Sequence, residues 1–257
     1  MVFSWPAGGC QQSDALDSDK KEIAKVQSEP KFYLTGIGPL LPTEKEFVYE
    51  IDARFQADVT RSDLKTMRLV TDFDERIDAE KIVEVLFTSV TVINDDYKDV
   101  KQAIGKTNAF TQEQIELLES VPYSTDLRIR MDYMENTSYF DTPQRNYTTP
   151  HLTIIPEKQA AYETGKSQLI SYLKNNSSVE VAKAQGYAIE PGKVRFTISE
   201  SGVIKDVRLI STCGHKSVDE KMLELIKHAP GKWSPAEDVN GNKVEEQLVF
   251  YFGTMGC

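Results

Sequence analysis

The chain is 257 residues long, 40% apolar and 27% charged, which is enough for a buried core in one large or two small domains. Its net charge of −10 is uneven: residues 1–150 hold 17 Lys+Arg against 27 Asp+Glu, while residues 151–257 hold 13 of each. An acidic front and a neutral tail suggest two units, neither has the basic stripe that backbone phosphates require, and no run approaches the roughly 18–20 apolar residues of a membrane-crossing helix.

The chain opens "MVFSWPAGGCQQSD", with Cys10 behind Ala7, Gly8 and Gly9 and ahead of a polar stretch. This resembles the end of a bacterial lipoprotein signal, which implies a lipidated Cys10 as the only contact with a membrane. Ala7 stands where leucine is usual, and nine residues are too few for a charged and an apolar region. Either the start lies upstream of this numbering, or Cys10 is a thiol in a soluble tail. Residues 11–31 are polar and poor in aromatics, so they read as a tether, weakly helical near Glu22–Val26.

Residues 32–135 form the first expected domain. Phe47, Tyr49, Ile51, Ala53 and Phe55 alternate with polar neighbours, as in a half-buried strand. Ile82 to Ile93 is long and β-branched; "DDYKD" turns the chain and "VKQAIG" returns it as a hairpin. Asp95-Asp96 is read as that turn, and "GKT" at Gly105–Thr107 lacks the rest of a phosphate-binding loop. Thr111 with Gln114 forms a capping box ahead of Ile115, Leu118 and Val121, and Leu127, Ile129, Met131 and Tyr133 alternate beyond it. The order is β-β-α-β. Residues 136–150, dense in Asn, Thr and Pro, are a linker; the sequons at Asn136 and Asn146 are read as chance.

The second domain, residues 151–257, starts with a short helix carrying Leu169, Tyr172 and Leu173 on one side. Val194, Phe196 and Ile198 alternate, Ser201-Gly202 turns, and Val207 and Leu209 alternate back. Ser217 with Glu220 is read as a capping box for a helix striped by Val218, Met222, Leu225, Ile226 and Ala229. An Asn240-Gly241 turn leads to Leu248, Phe250 and Phe252 on one strand face. The order is again β-β-α-β, which suggests a repeated motif. The fold class is therefore α+β, two small domains, the second a three-stranded antiparallel sheet of order 2-1-3 with helices on one face. Gln247, Leu248, Val249, Phe250, Tyr251 and Phe252 then form an edge with unpaired backbone groups, unless the chain's own loops or a second copy cover it.

The segments "GKVRFTISESGVIKDVRLIST" and "SVDEKMLELIKHAPGKWSPAEDVNGNKVEEQLVFYF" together resemble the C-terminal domain of the TonB family, in the version common in Bacteroidetes-type bacteria. The features are Gly192 and its strand, Gly202-Val203-Ile204, Asp206-Val207, Asp219, Trp233-Ser234-Pro235-Ala236 and Gly241, over about residues 151–253. The resemblance implies a periplasmic interaction module that accepts an extended segment of an outer-membrane transporter, or another envelope protein, as an added strand at Gln247–Phe252. Trp233 and Pro235 would brace the loop into that strand. Three departures stand out: "NNSSVEV" replaces a usual Tyr-Pro pair, and the sequence shows neither an inner-membrane helix nor a long Pro-rich spacer. Binding is therefore expected without energy transduction. The alternative is an envelope scaffold that forms a homodimer through the same edge.

No catalytic, cofactor or metal site is expected. His228 suits a helix C-terminus, where the dipole favours a cation. Cys213 and His215 lack metal spacing and a third orienting group, and His151 has no partner in the sequence. Cys213 and Cys257 lie past strands ending at one margin, about two spacings of ~4.8 Å apart. That exceeds the usual Cα separation of about 4.4–6.8 Å, though loops could close the gap in an oxidising compartment. A disulfide and two thiols both remain open.

Overall fold

Two runs of β-branched and aromatic residues organise the fold. Ile82–Ile93 and Gly192–Ile198 each become a central strand because both of their neighbours pair with them. The computed structural model describes residues 46–55, 57–184 and 187–254. In chain order the first elements are β1 (Phe47–Asp52), β2 (Ala57–Thr60), α1 (Arg61–Thr66), β3 (Ile82–Ile93), β4 (Asp99–Gly105), α2 (Gln112–Ser120) and β5 (Asp126–Glu135). Then come β6 (Gln144–Thr148), β7 (His151–Ile155), β8 (Ala161–Tyr162), α3 (Lys166–Ala184), β9 (Gly192–Ile198), β10 (Ile204–Ser211) and α4 (Lys216–Lys227). The last are β11 (Trp233–Ser234), β12 (Ala236–Glu237), β13 (Lys243–Val244) and β14 (Glu246–Thr254).

The architecture is mixed α+β. One sheet runs β2-β7-β5-β3-β4, with β6 also on β5; the other runs β1-β14-β9-β10. Each holds the same winding of hairpin, helix and third strand, seen as β4-β3-β5 and as β10-β9-β14. The Thr111–Gln114 capping box starts α2, and Leu117 and Leu118 pack on Val90, Ile129 and Met131. In the second sheet Val194, Phe196, Ile198, Phe250 and Phe252 face Leu169 and Leu173 of α3 and Met222 and Ile226 of α4. Full burial of such side chains stabilises by about 1.5–3 kcal/mol each. At the β9–β10 turn Gly202 has φ +78°, and a Cβ there would collide with the Trp233 carbonyl oxygen.

Five expectations change. The second sheet has four strands, because β1 pairs antiparallel with β14 from Phe47↔Thr254 to Asp52↔Val249. Gln247–Phe252 is consequently an interior strand, not an edge. The division at residues 136–150 also fails: β6 and β7 both join the first sheet, β1 joins the second, and the described residues fall within one compact unit. The physical reason is common to these: a strand's alternation records that one face is buried, not which sheet receives it. Finally, α4 begins at Lys216 with His215 at its N-cap, so Ser217 and Glu220 do not form the capping box. Asp219 instead accepts hydrogen bonds from the Cys213 backbone N–H at 3.0 Å and the Thr212 hydroxyl. The helix before β9 is longer than expected, running through "NNSSVEV" to Ala184.

Candidate docking edge

The four-stranded sheet ends on β10 at one side and β1 at the other, and the two edges differ. β10 is interrupted twice, between Lys205 and Arg208 and between Leu209 and Ser211, and Asp206 lies at φ +54°. Bulges and alternating charges are the devices that make an edge strand a poor template for pairing. β1 has no bulge and no residue at positive φ, and its alternating charges are confined to Glu50 and Asp52 near one end. Its six residues pair with β14 without a register break, contain neither proline nor glycine, and have no strand on their other side among the described residues.

Alternation sets the two faces of β1. Phe47, Tyr49 and Ile51 join the helix-side core; Tyr49 makes a 2.9 Å hydrogen bond with Ser177 of α3, and its ring lies 6.3 Å from that of Phe250. Val48, Glu50 and Asp52 therefore point to the opposite face. Each face has a cavity beside β1. On the helix side, a cavity of about 350 Å³ is walled by Ile51, Tyr162, Leu169, Trp233 and Leu248, with Lys166 and Asp52 at its rim. On the other side, a cavity of about 550 Å³ lies among Glu50, Asp52, Phe55, Tyr97, His151 and Tyr251. Asp52 lines both.

The end of β1 is acidic. Lys166 Nζ lies 3.5 Å from Asp52 Oδ2. Partial desolvation, then the charge of Asp52, pushes Asp58 up to about 6. Glu246 is 1% exposed and accepts hydrogen bonds from Ala160 N–H at 2.6 Å and Gln159 Nε2 at 3.3 Å. Burial pushes it up to about 7 against those bonds, with Asp58 and Asp52 adding to the rise. Because the folded value lies above the unfolded value of 4.5, the stability Glu246 contributes is complete below about pH 4.5. It is lost as the pH rises through about 7, a difference of about 3 kcal/mol. Glu246→Gln keeps an acceptor for Ala160 and removes the charge. Urea unfolding at pH 4 and pH 8 is expected to show the variant gaining on the parent at pH 8 and not at pH 4; an equal difference at both would refute the assignment.

Residues just beyond β1 hold it in place. Arg54 donates to Asp126 Oδ2 at 2.7 Å and to the carbonyls of Asn94 and Asp95, each at 2.9 Å. Arg195 of β9 lies 3.5 Å from Asp126 and ion-pairs Asp95, which also meets Arg208 of β10 at 3.4 Å. Thr153 donates to Asp126 Oδ1 at 3.0 Å, and Tyr251 Oη donates to the carbonyls of Ala53 and Arg54. Burial pushes the Asp126 carboxyl up, with Arg54 pulling against it first and Thr153 after it. The guanidinium of Arg54 also lies over the rings of Tyr97 and Phe55, at 4.5 and 5.1 Å.

The expected site residues divide accordingly. Leu248, Phe250 and Phe252 are core, and the Gln247 backbone N–H donates to Ser124 Oγ at 2.8 Å. Trp233 pairs with Tyr162 across β11 and β8, and the indole N–H is buried with no partner among the described residues. Cys213 is buried, which pushes its thiol up to about 11; Cys10 and Cys257 lie outside the described residues. His151 lies against Phe55, His215 meets the Ala188 carbonyl and His228 the Glu224 carbonyl. Among the described residues no group of three or more His, Cys, Asp or Glu is placed to hold a metal. No family model, curated protein or solved structure matches the chain. The likeness to the TonB family thus rests on the residues quoted for it. Sequence reading found the strand of β1 but not its place beside β14, and it read Asp95 only as a turn residue.

Proposed function

We propose that this protein is a periplasmic interaction module that binds an extended segment of an outer-membrane transporter, or another envelope protein, by strand addition. A lipid on Cys10 would be its anchor, and the role is binding without catalysis or energy transduction. The docking edge is Phe47–Asp52, one strand further out than Gln247–Phe252. The observation that supports this reading is the uninterrupted edge of β1, unpaired among the described residues, with a cavity on each face. In strand addition, main-chain hydrogen bonds supply affinity and alternate side-chain pockets supply specificity. A homodimer through the same edge would bring Glu46, Glu50 and Asp52 of two copies together, and like charges across a strand pair are destabilising.

Titrating the isotopically labelled full chain with extended N-terminal peptides of outer-membrane transporters tests this reading. Backbone amide shifts concentrated on Phe47–Asp52, with the Gln247–Phe252 amides still protected from exchange, are expected. Shifts that accompany loss of protection along Gln247–Phe252 would mean that β1 is displaced, and no shifts at millimolar peptide would remove strand addition altogether.

A further inference from the structure

The chemistry around β1 specifies more than an extended backbone. Consecutive residues of an added strand project to opposite faces, so neighbouring side chains meet different cavities. On the helix side the walls are Ile51, Tyr162, Leu169, Trp233 and Leu248, and the volume of about 350 Å³ has room for a branched aliphatic or aromatic side chain. On the other side the strand meets Glu50, which has no ion-pair partner among the described residues, and Asp52, which accepts from the Ala53 N–H at 2.9 Å and whose one ion pair among the described residues is the 3.5 Å contact with Lys166. Asp58 adds a third carboxylate close to Asp52. The cations facing this cavity are Arg54 and Lys193. Arg54 is spent on Asp126 and on the Asn94 and Asp95 carbonyls, while Lys193 lies 5.6 Å from the Tyr251 ring. The rings of Tyr97 and Phe55 already face Arg54 and that of Tyr251 faces Lys193, so Glu50 and Asp52 are the groups left to attract a further cation. A chain of net charge −10 also steers basic segments toward itself and repels a second copy.

We infer that the segment that docks on β1 alternates apolar and basic residues, its apolar side chain entering the Ile51–Leu169–Trp233 cavity and its Lys or Arg facing Glu50 and Asp52. This inference rests on the strand-addition reading, and the experiment separates the two. The labelled full chain is titrated with three acetylated, amidated peptides: TVKLKVT, the charge-reversed TVELEVT, and TAKAKAT, which keeps both lysines in place and lacks the large apolar residues. TVKLKVT is expected to shift the Phe47–Asp52 amides with at least tenfold higher affinity than either other peptide, and to weaken as salt rises. Glu50→Gln should narrow the gap between TVKLKVT and TVELEVT, and Glu50→Lys should invert it; both changes lie on a partly exposed position of an edge strand. Equal binding of all three peptides at β1 would overturn the partner chemistry and leave strand addition standing. Equal binding of TVKLKVT and TAKAKAT would overturn the apolar half. Shifts that avoid β1 with every peptide would overturn strand addition itself.

Discussion

Asp126→Ala is expected to destabilise the fold by about 3–5 kcal/mol, the usual cost of removing one partner from a buried ion pair. Asp126 is buried, and its two oxygens serve Arg54, Arg195 and Thr153. Without it two guanidinium groups remain close together, Arg54 with a side chain 6% exposed and Arg195 with one 10% exposed. Asp95 can satisfy only part of the deficit, because it already meets Arg195 and Arg208. Asp126→Asn keeps the hydrogen bond and loses the charge, so it should fall between the parent and the alanine variant. Urea denaturation followed by circular dichroism measures both. A loss under about 1 kcal/mol for alanine would mean that solvent reaches this cluster and screens it.

The second large effect concerns the strand itself. A fragment of residues 156–257, which starts after β7, retains nearly the whole stretch resembling the TonB domain but lacks β1. Removing β1 strips away Ile51, which is 4% exposed, along with the partly buried Phe47 and Tyr49. It also leaves β14 with a bare edge nine residues long. Ile51→Ala alone should cost about 2–5 kcal/mol. The fragment should therefore self-associate through β14, or unfold, while the full chain stays monomeric. Sedimentation velocity across a concentration series reads this out. Adding a peptide with the sequence of residues 46–52 should restore a monomer. A fragment that is monomeric and as stable as the full chain without the peptide would show that β1 adds nothing to the second sheet.

Both predictions come from contacts between residues far apart in the chain. Arg54 and Asp126 are 72 positions apart, and Phe47 pairs with Thr254. Local patterns were readable where chemistry is local. The Thr111–Gln114 cap, the glycine turn at Gly202 and the alternation in β3, β5, β9 and β14 all follow from constraints spanning a few residues. The same holds for the repeated β-β-α-β order, since a hairpin, a helix and a third strand each announce themselves by period. Asp95 shows the limit. As a turn residue it was legible, but its pairing with Arg195 and Arg208 required the two sheets to be brought together.

The docking edge shows the same division. From the sequence alone β14 had to be the last strand of its motif, and a last strand in a 2-1-3 order is an edge. Alternation in Phe47–Asp52 likewise required a strand with one apolar face. Only the tertiary structure joined these two facts, because backbone hydrogen bonds of a strand carry no record of their partner, and burial of Phe47, Tyr49 and Ile51 is satisfied by any apolar face of matching shape. The sequence thus determined which segments are strands and which faces they bury. The three-dimensional packing decided that the fold completes the edge of β14 with its own strand and presents β1 in its place.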